Sequence, residues 1–251
     1  MTEPLSYDVL GTGPGLVLVH GTGSTGQKSW GTVLDGLAAR HTVVLPNLPG
    51  SGDSAVDGPL DLSRVADQVV ATAAAVGLDS FALAGASLGA PVAIAVAARH
   101  PARVSRLATV VGFARARQTL RLNLELWSAL FARQDASLAS LLVMLSFAEE
   151  FVATLTAEQV DQYAALLTAD PAPGTRAQID LGLRLDVRAD LGRVEAPTLV
   201  LSATGDRFVA PAHSAEIAAG IPGARHVALA GGHASRFEDP AATLSALLDF
   251  L

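Results

Sequence analysis

Ser87 is the residue whose setting points most directly to chemistry. It stands at the centre of Gly85-Ala86-Ser87-Leu88-Gly89. The apolar run 81–84 predicts a buried strand before it, and the alanine-rich segment 92–99 predicts a helix after it. A strand that turns into a helix within a few residues strains the residue at the turn, and flanking glycines give that residue room. The pattern therefore presents a serine hydroxyl at a helix N-terminus, where negative charge is stabilised. A serine in an ordinary strand-to-helix turn is the alternative.

Two further residues could act together with this serine. Asp206 follows the predicted strand 197–202, so it lies at the sheet edge where Ser87 emerges. Aspartate also suits a turn after Gly205, and the local sequence leaves both interpretations open. His233 lies in a glycine-flanked loop after the last predicted strand, which ends at 228–230. A histidine that takes the serine proton and an aspartate that orients the imidazole would make the serine a nucleophile.

The other five histidines compete less well for this role. His41 and His226 precede predicted strands, His100 closes a helix and His213 begins one. We expect these to be exposed side chains that need no function. His20 is the strongest alternative for the catalytic base, because it lies in the glycine-rich loop 20–23 that ends a predicted buried strand.

The predicted elements that position these residues alternate between strands and helices, which indicates a mainly parallel, doubly wound α/β sheet. The region from 114 to 186 differs, because it has only helical patterns. Apolar side chains there fall on shared helix faces. One face comprises Leu120, Leu124, Trp127 and Phe131, and another comprises Leu138, Leu141, Leu142 and Leu145. The remaining strands are predicted at 6–10, 16–19, 42–45 and 104–111, with helices at 30–37 and 62–76, and residues 24–28 in a loop.

This order of parts resembles the α/β-hydrolase fold superfamily, of the type with a serine nucleophile and a helical cap. The resemblance spans nearly the whole chain apart from the middle segment. It is carried by Leu16–Gly21, Asn47–Gly52, Gly85–Gly89 with Ala93, Ala97 and His100-Pro101 after it, and the stretches around Asp206 and His233. Two positions depart from the pattern: Ala90 stands where many relatives have a second glycine, and Ser51 where relatives often have histidine. These departures leave the subfamily open.

The resemblance implies a domain organisation and a set of site residues. Residues 1–113 and 187–251 would form the core, and 114–186 a helical cap over the active site. Ser87, Asp206 and His233 would be the catalytic triad, and His20 would support the oxyanion loop, defined here as Gly21–Gly23. Backbone N–H groups of Thr22 and Leu88 would form the oxyanion hole. An apolar substrate pocket in this fold is expected to use Trp127, Phe131, Met144, Phe208 and Val209.

Composition and charge exclude several other classes of function. The net charge of −7, without a compensating basic cluster, argues against nucleic-acid binding. The absence of cysteine excludes disulfides and thiolate chemistry. We expect no membrane span, no secretory signal in Met1–Leu5 and hence a cytoplasmic protein. We see no metal-ligand cluster, and Gly21–Gly26 lacks the Lys-Ser/Thr ending of a phosphate-binding loop, so no cofactor is expected.

The expected function is hydrolysis of a small-to-medium apolar ester, lactone or thioester through an acyl-enzyme. The expected partner is a small apolar substrate, and a homodimer is left open. Carbon–carbon hydrolases, perhydrolases, acyl-transfer enzymes and elimination catalysts of natural-product or aromatic-degradation pathways share the triad, so they stay open. A non-catalytic ligand-binding protein and an interaction module are alternatives from other classes. Haloalkane dehalogenases and epoxide hydrolases are disfavoured because they require an aspartate nucleophile.

Overall fold

A seven-stranded sheet forms the centre of the protein, whose computed structural model describes residues 2–251. The spatial order is β1-β3-β2-β4-β5-β6-β7, with β1 antiparallel to β3 and every other neighbouring pair parallel. This confirms the predicted mainly parallel α/β sheet. The strands are β1 Tyr7–Leu10, β2 Gly15–Val19, β3 Thr42–Pro46, β4 Phe81–Ala86, β5 Val104–Val110, β6 Thr198–Ala203 and β7 Arg225–Leu229.

Helices cover both faces of this sheet. Along β2, Leu16 and Leu18 belong to one hydrophobic cluster and Val17 and Val19 to another, because successive side chains of a strand point to opposite faces. This explains the continuous apolar run, which is typical of a strand buried on both sides. The helices that precede the middle segment are α1 Gly26–Ala38, α2 Leu62–Ala75 and α3 Gly89–Arg99, with a 3₁₀ turn at Pro101–Arg103.

The first helix starts earlier than the sequence predicted. The prediction of a loop through 24–28 is wrong, because the side chain of Thr25 accepts the N–H of Lys28 and caps a helix that begins at Gly26. Such a cap satisfies one of the backbone donors that a helix start leaves free. Trp30, Val33, Leu34 and Leu37 are buried on one face, as their spacing predicted.

Residues 114–186, which were predicted to be all-helical, contain five helices. They are α4 Gln118–Arg133, α5 Ser137–Ser146, α6 Glu149–Val152, α7 Ala157–Thr168 and α8 Thr175–Arg184. We call residues 114–186 the helical segment. A single antiparallel bridge between Arg115 and Asp186 joins its two ends, so both connections to the sheet leave from one place. The division of the chain into a core and a cap stays a prediction.

The remaining helices lie before and after β6 and complete the chain. They are α9 Arg188–Leu191, α10 Ala212–Gly220, α11 Ser235–Glu238 and α12 Pro240–Leu248. None of the helices within residues 2–251 has the length and apolar character needed to cross a membrane.

Candidate active site

Ser87 occupies a sharp turn between β4 and α3. Its φ of 53° lies in the left-handed region, which a residue with a side chain adopts only under constraint. The N–H of Ser87 donates to the carbonyl oxygen of Val110 at 3.0 Å, which ties the turn to the end of β5. A Cβ on Gly85 would overlap the Gly89 carbonyl, and one on Gly89 would overlap the Val19 carbonyl. Both glycines are therefore needed for the approach of strand and helix.

His233 lies between Ser87 and Asp206. Its Nε2 is 3.0 Å from the Ser87 Oγ, and its Nδ1 is 2.8 Å from Oδ2 of Asp206. Asp206 is 5% exposed, and its other oxygen accepts the N–H groups of Phe208 and Val209. Because an ionised carboxylate can only accept, the Nδ1 of His233 carries a proton and Nε2 is free to accept one. The geometry thus orients a base towards the serine hydroxyl.

The loop that carries His233 is held from two sides. Oε1 of Glu238 accepts the N–H groups of Gly232 at 2.9 Å and Ala148 at 3.0 Å. The N–H of Ala234 donates to the carbonyl of Ser146, at the end of α5. These bonds fix the position of the imidazole relative to both α11 and the helical segment.

His20 is fully buried below the oxyanion loop. Its Nδ1 lies 2.7 Å from the Gly21 carbonyl, and its Nε2 lies 2.8 Å from the backbone nitrogen of Leu48. Nε2 must accept from the Leu48 N–H, so Nδ1 carries the ring proton and donates to Gly21. Desolvation by burial lowers the pKa of His20 to about 4, against the weaker opposing effect of the Gly21 hydrogen bond. His20 is therefore a neutral support, and it makes no hydrogen bond to Ser87.

The oxyanion loop lies directly against Ser87. A Cβ on Gly21 would be 3.2 Å from the Cβ of Ser87. Among the hydrogen bonds within residues 2–251, none uses the N–H of Thr22 or of Leu88. Both N–H groups are thus left without an acceptor in the described part of the chain, as the predicted oxyanion hole requires, and that role stays a prediction.

Two of the residues predicted to bind substrate lie next to His233 and the oxyanion loop. The Phe208 ring stacks on the His233 ring at a centroid distance of 5.1 Å, and Trp127 of α4 meets Phe208 edge to face at 5.7 Å. Trp127 also approaches Gly23, whose added Cβ would be 3.4 Å from its ring. An aromatic wall therefore joins the histidine to the oxyanion loop.

The other three predicted pocket residues are placed differently. Val209 is buried, and its backbone rather than its side chain makes the bond to Asp206. Phe131 is half-buried near the end of α4. Met144 is 52% exposed on α5, so it contributes little to an enclosed pocket, and the expectation for this residue needs correction.

The sequence reasoning misjudged two other histidines and missed two site residues. His213 is 1% exposed and His41 is also buried, whereas both were expected at the surface. His213 packs its ring against Phe113, and desolvation lowers its pKa. Gln178 and Glu238 were not singled out, although Gln178 accepts the N–H of Gly23 and Glu238 accepts that of Gly232, next to His233. No local pattern marks them, because their role depends on segments that are distant in sequence.

No group of three or more metal-binding side chains occurs within residues 2–251.

Comparison with known proteins agrees with this architecture. A family model described as the alpha/beta hydrolase fold matches residues 14–240. The pyrrolizixenacetamide deacetylase of Xenorhabdus hominickii is 34% identical over 250 residues, which are 98% of this chain and 94% of the relative.

Solved structures give the same answer. A crystal structure described as a hydrolase from Pseudomonas aeruginosa PA01 superposes with a TM-score of 0.83 at 29% identity, covering 97% of this chain and 92% of the other. The enol-lactonase of Burkholderia xenovorans LB400, at 22% identity and a TM-score of 0.86, covers 98% of this chain and 95% of its own, and shares the fold. On a family match through most of its length and a relative of 34% identity across almost all of it, this chain is an enzyme of the α/β-hydrolase family.

Proposed function

We propose that the protein is a serine ester hydrolase that works through an acyl-enzyme on Ser87. The observation that supports this most strongly is the pair of hydrogen bonds from Ser87 Oγ to His233 Nε2, at 3.0 Å, and from His233 Nδ1 to Asp206 Oδ2, at 2.8 Å. A serine hydroxyl is a weak nucleophile at neutral pH unless a base within hydrogen-bond reach removes its proton.

In the proposed reaction, Ser87 Oγ attacks the acyl carbon while its proton passes to His233 Nε2. Asp206 stabilises the imidazolium and keeps its orientation. The N–H groups of Thr22 and Leu88 stabilise the oxyanion, an interaction for which loss of one donor typically costs about 10² to 10³ in rate. His233 then protonates the leaving group, and water, activated by the same histidine, releases the acyl group from Ser87.

The surroundings of Ser87 favour an apolar acyl or leaving group. Phe208 and Trp127 form the aromatic wall beside His233. On α8, an added Cβ on Gly182 would contact side chains of Leu88, Leu124 and Phe113, so this helix packs an apolar surface next to the serine turn. Burial of such side chains with a few fixed donors is typical of small-molecule pockets. Esters, lactones and thioesters of this character are the proposed substrate class.

Amide deacetylation is a second candidate function. It is favoured by the relative named a deacetylase of an acetamide, which is 34% identical over 98% of this chain. The same residues would serve, but His233 would have to protonate a poorer leaving group, an amine, as the tetrahedral intermediate collapses.

The first experiment measures turnover of p-nitrophenyl esters of increasing acyl length by the wild type and Ser87→Ala. A fluorophosphonate probe followed by mass spectrometry identifies the modified residue. Ser80→Ala, at an exposed serine just before β4, is the matched control. We expect turnover and labelling at Ser87, both lost in Ser87→Ala and both retained in Ser80→Ala. A folded wild type that neither turns over esters nor takes the label contradicts the proposal and favours ligand binding.

A paired measurement separates the two candidates. The kcat/KM for a p-nitrophenyl acetate is compared with that for the corresponding N-acetyl-p-nitroaniline. An ester preference far above the intrinsic difference in reactivity supports the esterase, whereas efficient release of the arylamine supports deacetylation. Labelling of Ser87 without turnover of either would point to carbon–carbon cleavage, acyl transfer or elimination.

A further inference from the structure

Gln178 is a fully buried polar side chain of the helical segment that bonds to two loops of the core. Its Oε1 accepts the N–H of Gly23 at 2.8 Å. Its Nε2 donates to the carbonyl of Pro49 and to the Ser51 Oγ, both at 3.0 Å. Gln178 is 0% exposed and Ser51 is equally buried. The bonds to Pro49 and Ser51 are buried and the bond to Gly23 is part-buried, so leaving the amide of Gln178 unpaired would be costly.

These bonds complete a clamp on the oxyanion loop. His20 holds one end through the carbonyl of Gly21, and Gln178 holds the other through the N–H of Gly23. The N–H of Thr22, between the two, is left free. These two side chains hold the backbone of the oxyanion loop in place, since the loop belongs to no strand or helix.

The clamp matters because the loop contains two glycines. Gly23 has a φ of 69°, in the left-handed region that glycine enters easily, so its own conformational preferences restrain it little. Without an acceptor for the Gly23 N–H, the adjoining Thr22 N–H would sample more orientations. A donor contributes to catalysis only when it is already aimed at the developing oxyanion, and a misplacement of about 1 Å can cost about 10²-fold.

We propose that Gln178 is a positioning residue that aligns the Thr22 N–H for the oxyanion. This inference rests on the proposed function of Ser87 and extends it. It gives a residue of the helical segment a role in stabilising the transition state. The predicted signature is a loss in kcat that is not matched by weaker binding of the ground-state substrate.

The test compares Gln178→Met with Thr72→Val. The first variant lacks an acceptor for the Gly23 N–H, and the second lacks one for the Leu5 N–H, which the buried Thr72 Oγ1 accepts at 3.0 Å. Both changes are close to isosteric, and each removes the side-chain acceptor of one backbone N–H. Gln178→Met also removes the donor to Pro49 and Ser51, whereas Thr72 lies on α2 and has no bond to the oxyanion loop. We expect Gln178→Met to lower kcat for a p-nitrophenyl ester by about 10- to 100-fold with KM within about twofold. Thr72→Val should lower stability while leaving kcat unchanged.

A trifluoromethyl ketone provides a readout that lost stability alone would not move. It adds to a serine hydroxyl as a tetrahedral adduct with an oxyanion, so its affinity should fall in Gln178→Met by the same factor as kcat. The affinity of the matching methyl ketone, which binds mostly without addition, should not change. Equal effects of Gln178→Met and Thr72→Val on kcat and on ketone binding would overturn the inference.

A second variant covers the case in which Gln178→Met does not fold. Burial favours the uncharged carboxyl of Gln178→Glu, which keeps an acceptor for Gly23 and one donor. Because a carboxyl oxygen can accept the Gly23 N–H in place of the amide oxygen, Gln178→Glu should keep kcat and trifluoromethyl ketone affinity near those of the wild type. A folded Gln178→Glu that loses kcat and ketone affinity by about 10-fold or more contradicts the positioning role. Absence of fluorophosphonate labelling in the wild type would instead refute the proposed function itself.

Discussion

The buried His20 predicts a specific loss of stability as the protein is acidified. Its folded pKa of about 4 lies below the ordinary value of 6.5, mainly because burial disfavours the charged ring. The unfolded chain therefore takes up a proton first as pH falls. The stabilisation from neutral His20 is fully present above about pH 6.5 and is lost progressively as the pH falls towards about 4.

The magnitude follows from the two pKa values. A shift from 6.5 to about 4 corresponds to about 3 kcal/mol over the whole interval. About 2 kcal/mol of this is lost between about pH 7 and about pH 5. The geometry supplies the reason: a proton on Nε2 would face the N–H of Leu48, so a donor would meet a donor where an acceptor now lies.

The assay is urea unfolding followed by circular dichroism for the wild type and His20→Gln, from neutral pH downwards. The glutamine amide oxygen can accept from Leu48, but it does not titrate. Buried His213, whose pKa is also lowered, and the carboxylates contribute equally to both proteins and cancel in the difference. We expect the stability advantage of the wild type to shrink by about 2 kcal/mol between about pH 7 and about pH 5. A difference that stays constant with pH would refute the reasoning.

Three further predictions concern the turn and the loops around Ser87. Gly85→Ala should lower the free energy of unfolding by more than about 2 kcal/mol, since its Cβ would strike the Gly89 carbonyl; Gly192→Ala, which meets open space, should be neutral in the same urea titration. Asp206→Asn should reduce ester kcat by about 10⁴ with little change in stability, and a loss below tenfold would argue against its proposed role. Glu238→Ala leaves two buried N–H groups unpaired and should cost about 1–3 kcal/mol for each, while Glu238→Gln, which keeps an acceptor oxygen, should recover most of this in thermal unfolding.

The sequence was informative where structure depends on neighbouring residues. The glycines around Ser87 predicted a strand-to-helix turn, and that turn has the expected strained serine. The buried strands were recognisable because short apolar runs rich in β-branched residues, bounded by turn residues, are typical of strands buried in a sheet. The start of α1 was missed because Ser24–Lys28 is polar and contains Gly26, although Thr25 is a good N-cap residue.

The residues that support the site loops could not be predicted from local sequence, because their partners are distant along the chain. Gln178 and Gly23 are 155 positions apart, and the oxyanion loop shows no pattern that names its partner. His213 was expected at the surface because a histidine after Pro211 at a helix start often is, yet its ring turns inward onto Phe113. Ser51, which departs from the family pattern, accepts at its Oγ a hydrogen bond from Gln178 Nε2, a partner that only the fold brings near.

The hydrogen bonds between the helical segment and the rest of the chain limit how this enzyme could be re-engineered by exchanging that segment. Three loops outside that segment are bonded to it: Gln178 accepts the N–H of Gly23, the Ser146 carbonyl accepts that of Ala234, and Asn123 donates to the carbonyls of Arg207 and Phe208. A foreign segment grafted between β5 and β6 to broaden substrate range would remove all three anchors at once. A successful chimera must therefore transplant these contacts together with the new pocket, or it would bind a new substrate and convert it slowly.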